Sequence, residues 1–196
     1  PENSYLADGK LVIEAKPERI MGSNYSSAKL MTKDKQSFKY GRIDIRAKLP
    51  TGHGIWPAIW MLPADDVYGG WPTSGEIDIV ELVGLEPEKI HGTVHFGPPV
   101  GYSQSSGDTY SLSTGAFSDE FHVFSIVWAQ DSIQWLIDGV PYHSISRADV
   151  GTNTYPFNEE FYLIFNVAVG GNWAGAPGAH TVFPQTMMVD YVRVFQ

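Results

Sequence analysis

The stretch FHVFSIVWAQDSIQWLIDGVPYH, residues 121–143, decides the fold class. Ile133, Trp135 and Ile137 fall on one side of an extended chain and Gln134, Leu136 and Asp138 on the other, a period that a strand imposes and a helix does not. Turn residues flank the alternation at Asp131-Ser132 and at Asp138-Gly139. The segment reads as an antiparallel hairpin with one buried and one half-exposed face, part of a packed core and not of a site.

Alternation continues outward in both directions, and no window keeps apolar residues at helical spacing for more than two turns. Strands are expected over residues 10–15, 26–32, 40–49, 55–62, 75–82, 91–96, 121–128, 133–137, 161–168 and 187–195. Asp8-Gly9, Pro50-Thr51-Gly52, Gly69-Gly70 and Gly170-Gly171 mark turns, and wide loops are expected at 97–118 and 170–184. Short strands without an internal repeat or linker predict an all-β fold, two antiparallel sheets packed face to face in one domain over residues 1–196.

The bulk chemistry narrows the partners. With 22 acidic against 13 basic side chains the formal charge is -9, which repels nucleic acid and offers no polybasic patch to an anionic membrane. A neutral partner fits better. The absence of cysteine removes disulfides, thiolate metal sites and a thiolate nucleophile. No apolar run approaches the roughly 20 residues that span a bilayer. No charged-then-apolar leader precedes Pro1 and there is no initiator methionine, so the expectation is a processed chain whose leader is already gone.

The stretch that carries chemistry is SGEIDIVELVG, residues 74–84, in which Glu76, Asp78 and Glu81 interrupt an apolar strand. Alternation puts Glu76 and Asp78 on one face and Ile77 and Ile79 on the other. Continued without a break it would send Glu81 into the core, where a carboxylate is destabilising by several kcal/mol. One extra residue, a β-bulge near Val80, would return Glu81 to the face of the other two acids. Carboxyls so placed can reach the separation of about 5 to 5.5 Å at which a nucleophile and an acid/base flank an anomeric carbon with retention. Crowding also splits their titration, leaving one ionised to attack and another protonated to donate. Asp78 would orient Glu76 and modulate its charge. On spacing alone a solvated acidic face or a calcium cluster stays open beside catalysis.

The neighbouring residues favour catalysis. Trp56, Trp60 and Trp71 precede the acidic strand, and indoles stack on the apolar faces of sugar rings, so they are candidate substrate platforms, with core packing as the alternative for Trp56 and Trp60. His91 and His95 lie in HGTVH, where a strand would separate them by roughly 13 Å, too far for one metal ion. His95 is expected to hydrogen-bond substrate or the acid/base carboxyl, or else to be a satisfied core histidine.

The assembled stretches NSYLADGKLVIEA, FKYGRIDIRAKLP, GIWPAIWML, WPTSGEIDIVELVG, HGTVH, NVAVGGNW and FPQTMMVDYVRVFQ span nearly the whole chain. In that order they resemble the laminarinase branch of the family-sixteen glycoside hydrolases. The extra residue before Glu81 marks that branch against the related mixed-linkage lichenases. The resemblance implies a β-jelly-roll sandwich with a concave cleft and endo-hydrolysis of β-1,3-glucan with retention. On it Glu76 takes the nucleophile position, Asp78 the assisting position and Glu81 the acid/base position. No cofactor is required for that chemistry. The resemblance also implies a structural calcium between a backbone oxygen at Gly9 and the carboxylate of Asp190, although these two positions alone cannot supply the six to eight oxygens that calcium takes.

Two departures from the family pattern stand out. Similar proteins carry a further N-terminal segment before the stretch matching NSYLADGK, including a strand and a cleft-lining loop, so an incomplete chain with an exposed sheet edge is expected. Lys29 stands where the family commonly has arginine, which keeps the charge and loses the planar fork. The expected partner is a β-glucan polysaccharide, met outside the cell because such a polymer cannot enter it, by a monomer. A glucan-binding module without turnover and an enzyme for mixed-linkage glucan are the alternatives, and sulfated galactans are disfavoured because no basic cluster accompanies the acids.

Overall fold

The computed structural model describes residues 2–98 and 103–196. Its strands are β1 (Ser4–Ala7), β2 (Lys10–Ile20), β3 (Ser23–Ser26), β4 (Lys29–Met31), β5 (Gly41–Lys48), β6 (Ile55–Pro63), β7 (Glu76–Glu81), β8 (Lys89–Phe96), β9 (Gln104–Ser111), β10 (His122–Ala129), β11 (Ser132–Ile137), β12 (Val140–Ser146), β13 (Phe161–Val169) and β14 (Gln185–Phe195). One sheet runs β1-β2-β14-β5-β10-β11-β12 with β3 paired to β2, and the other runs β4-β13-β6-β7-β8-β9. The two sheets pack face to face, as the alternation predicts. No helix among the described residues is long and apolar enough to cross a membrane.

The hairpin at 121–143 forms as β10 and β11, with Trp128 opposite Ile133 and Ile126 opposite Trp135. Both tryptophans are buried and both find a partner for the indole N–H: Trp128 donates to the carbonyl of Phe157 and Trp135 to that of Asp78, each at 2.8 Å. A buried indole needs such an acceptor. The core joins Ile43, Ile45 and Ala47 of β5 to Ile55, Ile59 and Met61 of β6 and Ile77, Ile79 and Val80 of β7.

Four strand assignments differ from the sequence reading. Of the segment expected as one strand over 26–32, Ser26 only ends β3, which pairs with β2 in one sheet, while Lys29–Met31 form β4, which pairs with β13 in the other. The segment expected as a wide loop from 97 to 118 contains β9, paired with β8 from Lys89↔Ser111 to Phe96↔Gln104; residues 99–102 of that loop lie outside the described residues. As an edge strand β9 is largely exposed, so its sequence QSSGDTYS carries no apolar signal. The short strands β1 and β12 were not expected either. Both lie on sheet margins, where polar residues are tolerated on either face.

The bulge expected near Val80 is present. Along β6, Met61 pairs with Ile77 and Trp60 with Asp78, but Ile59 then pairs with Val80 and Ala58 with Glu81. Along β8, Thr93 opposes Asp78 and His91 opposes Glu81, so Ile79 and Val80 together face the single residue Gly92. Both enter the core, at 2% and 0% exposure. Gly92 has to be glycine, because a Cβ there would stand 2.5 Å from Trp135 Cδ1 and 2.5 Å from the Tyr142 hydroxyl. The carbonyl of Asp78, at the start of the bulge, is the one that the Trp135 indole satisfies from the opposite sheet. Removing that donor with Trp135→Phe is expected to destabilise the fold by about 1–3 kcal/mol, the penalty of an orphaned buried carbonyl. Urea unfolding measures it, and wild-type stability would show that the carbonyl has found another partner.

Candidate active site

Because β7 bulges, Glu76, Asp78 and Glu81 all reach the outer face of their sheet, where they line one pocket of about 220 Å³ with Trp56, Trp60 and Asn166. Trp56 and Trp60 are half-buried there and hydrogen-bond through their indoles. Trp56 Nε1 donates to Glu81 Oε1 at 3.0 Å, and Trp60 Nε1 to Asn166 Oδ1 at 2.8 Å. Trp71, 47% exposed at the rim, donates to Glu76 Oε2 at 2.6 Å. The two outer glutamates therefore each hold one indole N–H, which fixes their side chains without neutralising them.

Asp78, at 2% exposure, is the deepest of the three acids. His95 stands beside it, Nε2 at 3.2 Å from Asp78 Oδ2. Of the roles expected for His95, contact with the acid/base carboxyl is the one the ladder does not provide: His95 lies opposite Glu76, and His91 is the residue opposite Glu81. His95 is therefore four residues along β8 from the partner of Glu81 and meets the buried aspartate instead.

Burial dominates the electrostatics of the cluster. It lifts Asp78 to about 7, opposed by His95 and reinforced by the charge of Glu76. It likewise lifts Glu81 to about 7, with the charge of Asp78 adding to it and the Trp56 hydrogen bond opposing. Glu76 is raised by burial too, restrained by the charge of His95 and by hydrogen bonds from Trp71 and Asp78, while Glu81 pushes it up. Burial pulls His95 down, but the surrounding carboxyls outweigh it and its pKa is raised. Acids held in this range can exchange protons near neutral pH.

Trp173 and Asn166, which the sequence reading had not named individually, and Lys29 stand beside the tryptophans of β6. Trp173 lies edge-on to Trp56, centroids 5.3 Å apart, and also to His91 at 4.9 Å. Its place in NVAVGGNW, a glycine-rich loop like that of Trp71, is the cue that marks it. Asn166, in the same stretch, is recognisable only once Trp60 is seen to bond it. Lys29 lies over the Trp60 ring, Nζ 4.4 Å from the centroid, a cation–π contact that a flexible ammonium makes readily.

Glu76, Asp78 and His95 bring ligand atoms within 4.8 Å of one another, but Trp71 already donates to Glu76 and His95 faces Asp78. For calcium, Asp190 Oδ2 accepts from Arg46 Nη1 at 2.6 Å, so one carboxylate oxygen is already taken by a cation. Gly9 offers one carbonyl in the turn between β1 and β2. This donor set falls well short of the six to eight oxygens of a calcium shell and does not fit the ion.

A two-sheet sandwich that gathers three carboxyls among tryptophans on one sheet face has the architecture of a carbohydrate-active protein. The chain belongs to the glycosyl hydrolases family 16, whose sequence profile matches residues 3–193. It is 47% identical to glucan endo-1,3-beta-glucosidase A1 of Niallia circulans over 100% of this chain and 31% of that protein. It is 42% identical to the beta-glucanase of Rhodothermus marinus over 100% of this chain and 71% of that one. The chain thus spans under a third of the first relative and about seven-tenths of the second. Among solved structures, the catalytic domain of an endo-1,3-beta-glucanase (laminarinase) from Thermotoga petrophila RKU-1 superposes with a TM-score of 0.92 at 45% identity, over 100% of this chain and 81% of that one.

The raised acids link stability to pH. The Asp78 carboxyl ionises near 3.8 when unfolded and at about 7 in the fold, so across that window unfolding releases a proton. The stabilisation is complete below the lower value and is lost as pH rises through the higher one. The free energy of unfolding should therefore fall between about pH 4 and pH 7, and Asp78→Asn should flatten the fall. Denaturant titrations at stepped pH check this, and a wild-type profile that rises over the window would contradict it.

Proposed function

We propose that this chain is the catalytic part of a secreted endo-β-1,3-glucanase that cleaves with retention, Glu76 acting as nucleophile and Glu81 as general acid/base. The observation that carries the reading is the bulge, which sets both glutamates on one tryptophan-lined face although five positions of sequence separate them. The names of the relatives support the linkage cleaved.

In the first step a Glu76 oxygen attacks the anomeric carbon, the bond to the glycosidic oxygen breaks, and that oxygen takes the proton of Glu81. The glycosyl ester on Glu76 has the α configuration. In the second step Glu81, now a carboxylate, takes a proton from water as its oxygen attacks the same carbon and Glu76 departs, giving a β product. Burial raises the Glu81 pKa to about 7, and Asp78, which ionises in the same range, adds to it as it gains charge. His95 and Trp71 favour the ionised form of Glu76. Asp78, between them, would transmit the charge of His95 to the pair. Trp56, Trp60 and Trp71 supply apolar faces for sugar rings. The carboxyls supply all the chemistry, so no cofactor enters a step, and one copy of the chain holds the complete acid set, so a monomer suffices. Action outside the cell follows from the size of the polymer.

Glu76→Gln and Glu81→Gln should each lower turnover of laminarin by about 10³-fold or more while the far-ultraviolet spectrum stays that of wild type. Reducing-end release is the assay, and a wild-type rate in either variant would remove that residue from the mechanism. Parallel assays should show laminarin cut fastest, lichenan more slowly and agarose not at all. Proton NMR of the first products should show β-anomers, since α-anomers appearing first would mean inversion.

Activity should also fall as pH passes above about 7, where Glu81 loses its proton. On the acid side it should fall as Glu76 gains one, giving a bell-shaped profile. Asp78→Asn should displace that bell, and a profile unmoved by the substitution would show that Asp78 leaves the pair untuned.

A further inference from the structure

The segment that joins β13 to β14, residues 170–184, is wound around the chain at His53 and Gly54. Gly170 N–H donates to the carbonyl of Gly54 at 2.7 Å, and Gly54 N–H donates to that of Ala174 at 3.1 Å. The Thr181 hydroxyl donates to the carbonyl of His53 at 2.8 Å and accepts from Gly178 N–H at 3.1 Å. The two backbones lie so close that a Cβ at Gly54 would stand 2.3 Å from Pro177 N. The imidazole of His53 fills the inside of this loop: a Cβ at Gly175 would stand 2.9 Å from its Nε2, and one at Gly178 3.2 Å from its Nδ1. Gly175 has a φ of 72° that calls for glycine in any case, but Gly178 is not among the glycines of positive φ. The histidine is what its missing side chain makes room for.

The same loop packs on the acid set. Gly171 backs onto the ring of Trp56, and Trp173 meets that ring edge to face, centroids 5.3 Å apart at 86°. Trp56 Nε1 in turn holds Glu81 Oε1 at 3.0 Å. Contacts thus run unbroken from His53, exposed and outside the acid pocket, to a carboxyl within it.

We infer that His53 is a positioning residue for Glu81: its imidazole fixes the loop that seats Trp173 against Trp56, and the seated Trp56 holds the Glu81 carboxyl in place. The inference rests on the assignment of Glu81 as acid/base. The backbone of Trp56 is fixed by β6, but its ring is half-buried and takes lateral support from the loop. Without that support the indole–carboxyl hydrogen bond lengthens. The bond favours the ionised form of Glu81, so weakening it raises the pH at which Glu81 gives up its proton. The other groups that face Glu81, Asp78 and His95 by charge and His91 across the ladder, stand on β7 and β8 and not on the loop.

Two readouts of His53→Ala test this, one of them independent of catalysis. The indole N–H of Trp56, identified among the six tryptophans by its loss in Trp56→Phe, is followed by proton–nitrogen correlation NMR. Its proton resonance should move upfield as the bond to Glu81 lengthens. In the same variant kcat on laminarin should fall about fivefold, the scale of one lost hydrogen bond, and the alkaline limb of the kcat/KM profile should move to higher pH. His53→Gln, which keeps a planar polar group inside the loop, should recover part of both changes. Gly178→Ala, which presses on the imidazole, should act in the same direction in the wild-type background and add nothing once His53 is alanine. A purely structural role would lower the folded fraction and leave the resonance and the limb of the folded protein where they were. An unmoved Trp56 resonance in His53→Ala, or effects of Gly178→Ala that add in full to it, overturns the inference. A resonance that moves while the rate and the alkaline limb stay those of wild type overturns the assignment of Glu81 instead.

Discussion

The hydrogen bond from the Trp135 indole to the carbonyl of Asp78 joins the two sheets at the point where β7 departs from regular pleating. Regular alternation cannot serve both faces of this strand, since it would bury Glu81 or expose one of the aliphatic residues beside it. A bulge resolves the conflict by placing Ile79 and Val80 in the core together. Its consequence is a backbone carbonyl near the core that needs a donor, and the opposite sheet supplies one. Gly92 completes the arrangement by leaving room for the indole and the Tyr142 hydroxyl. A tryptophan of the core, a glycine of the neighbouring strand and an extra residue in the acidic strand are thus parts of one device.

That device determines the electrostatics above it. Three acids and a histidine on one face of a short stretch of sheet repel and attract one another at close range, and burial raises the carboxyls toward neutrality. Indole donors hold the outer two without adding charge. The site therefore keeps one acid protonated beside another that can ionise, which is the condition for double displacement. Trp56 links this acidic layer to the Trp173 and His91 corner, so the packing beside the pocket is continuous with the orientation of Glu81.

Much of this was legible in the sequence because strand periodicity is a local property. The hairpin at 121–143 declares its period within a few residues, and the acids at 76, 78 and 81 reveal a bulge because the alternative burial is so unfavourable. What was not legible depends on partners far apart in the chain. The sequence QSSGDTYS forms β9 because β8 offers a free edge to pair with, and nothing in its composition says so. The chain over 23–31 divides into β3 and β4 because the two pieces answer to different sheets. The row occupied by His95 follows from register, and register is counted across the bulge, so its meeting with Asp78 in place of Glu81 required the ladder itself. Trp173 and Asn166 acquire meaning only from the tryptophans of β6 that they touch.

The central claim is that the bulge makes Glu76 and Glu81 a nucleophile and an acid/base pair acting from one face. Trapping the covalent intermediate tests it most directly. The enzyme would be treated with a 2-deoxy-2-fluoro laminaribiosyl fluoride, digested with protease and mapped by mass spectrometry. The account requires a single glycosyl group esterified to Glu76, with turnover restored when an acceptor sugar is added. A label on Asp78 or Glu81, or an active enzyme that accumulates no labelled species, would contradict it.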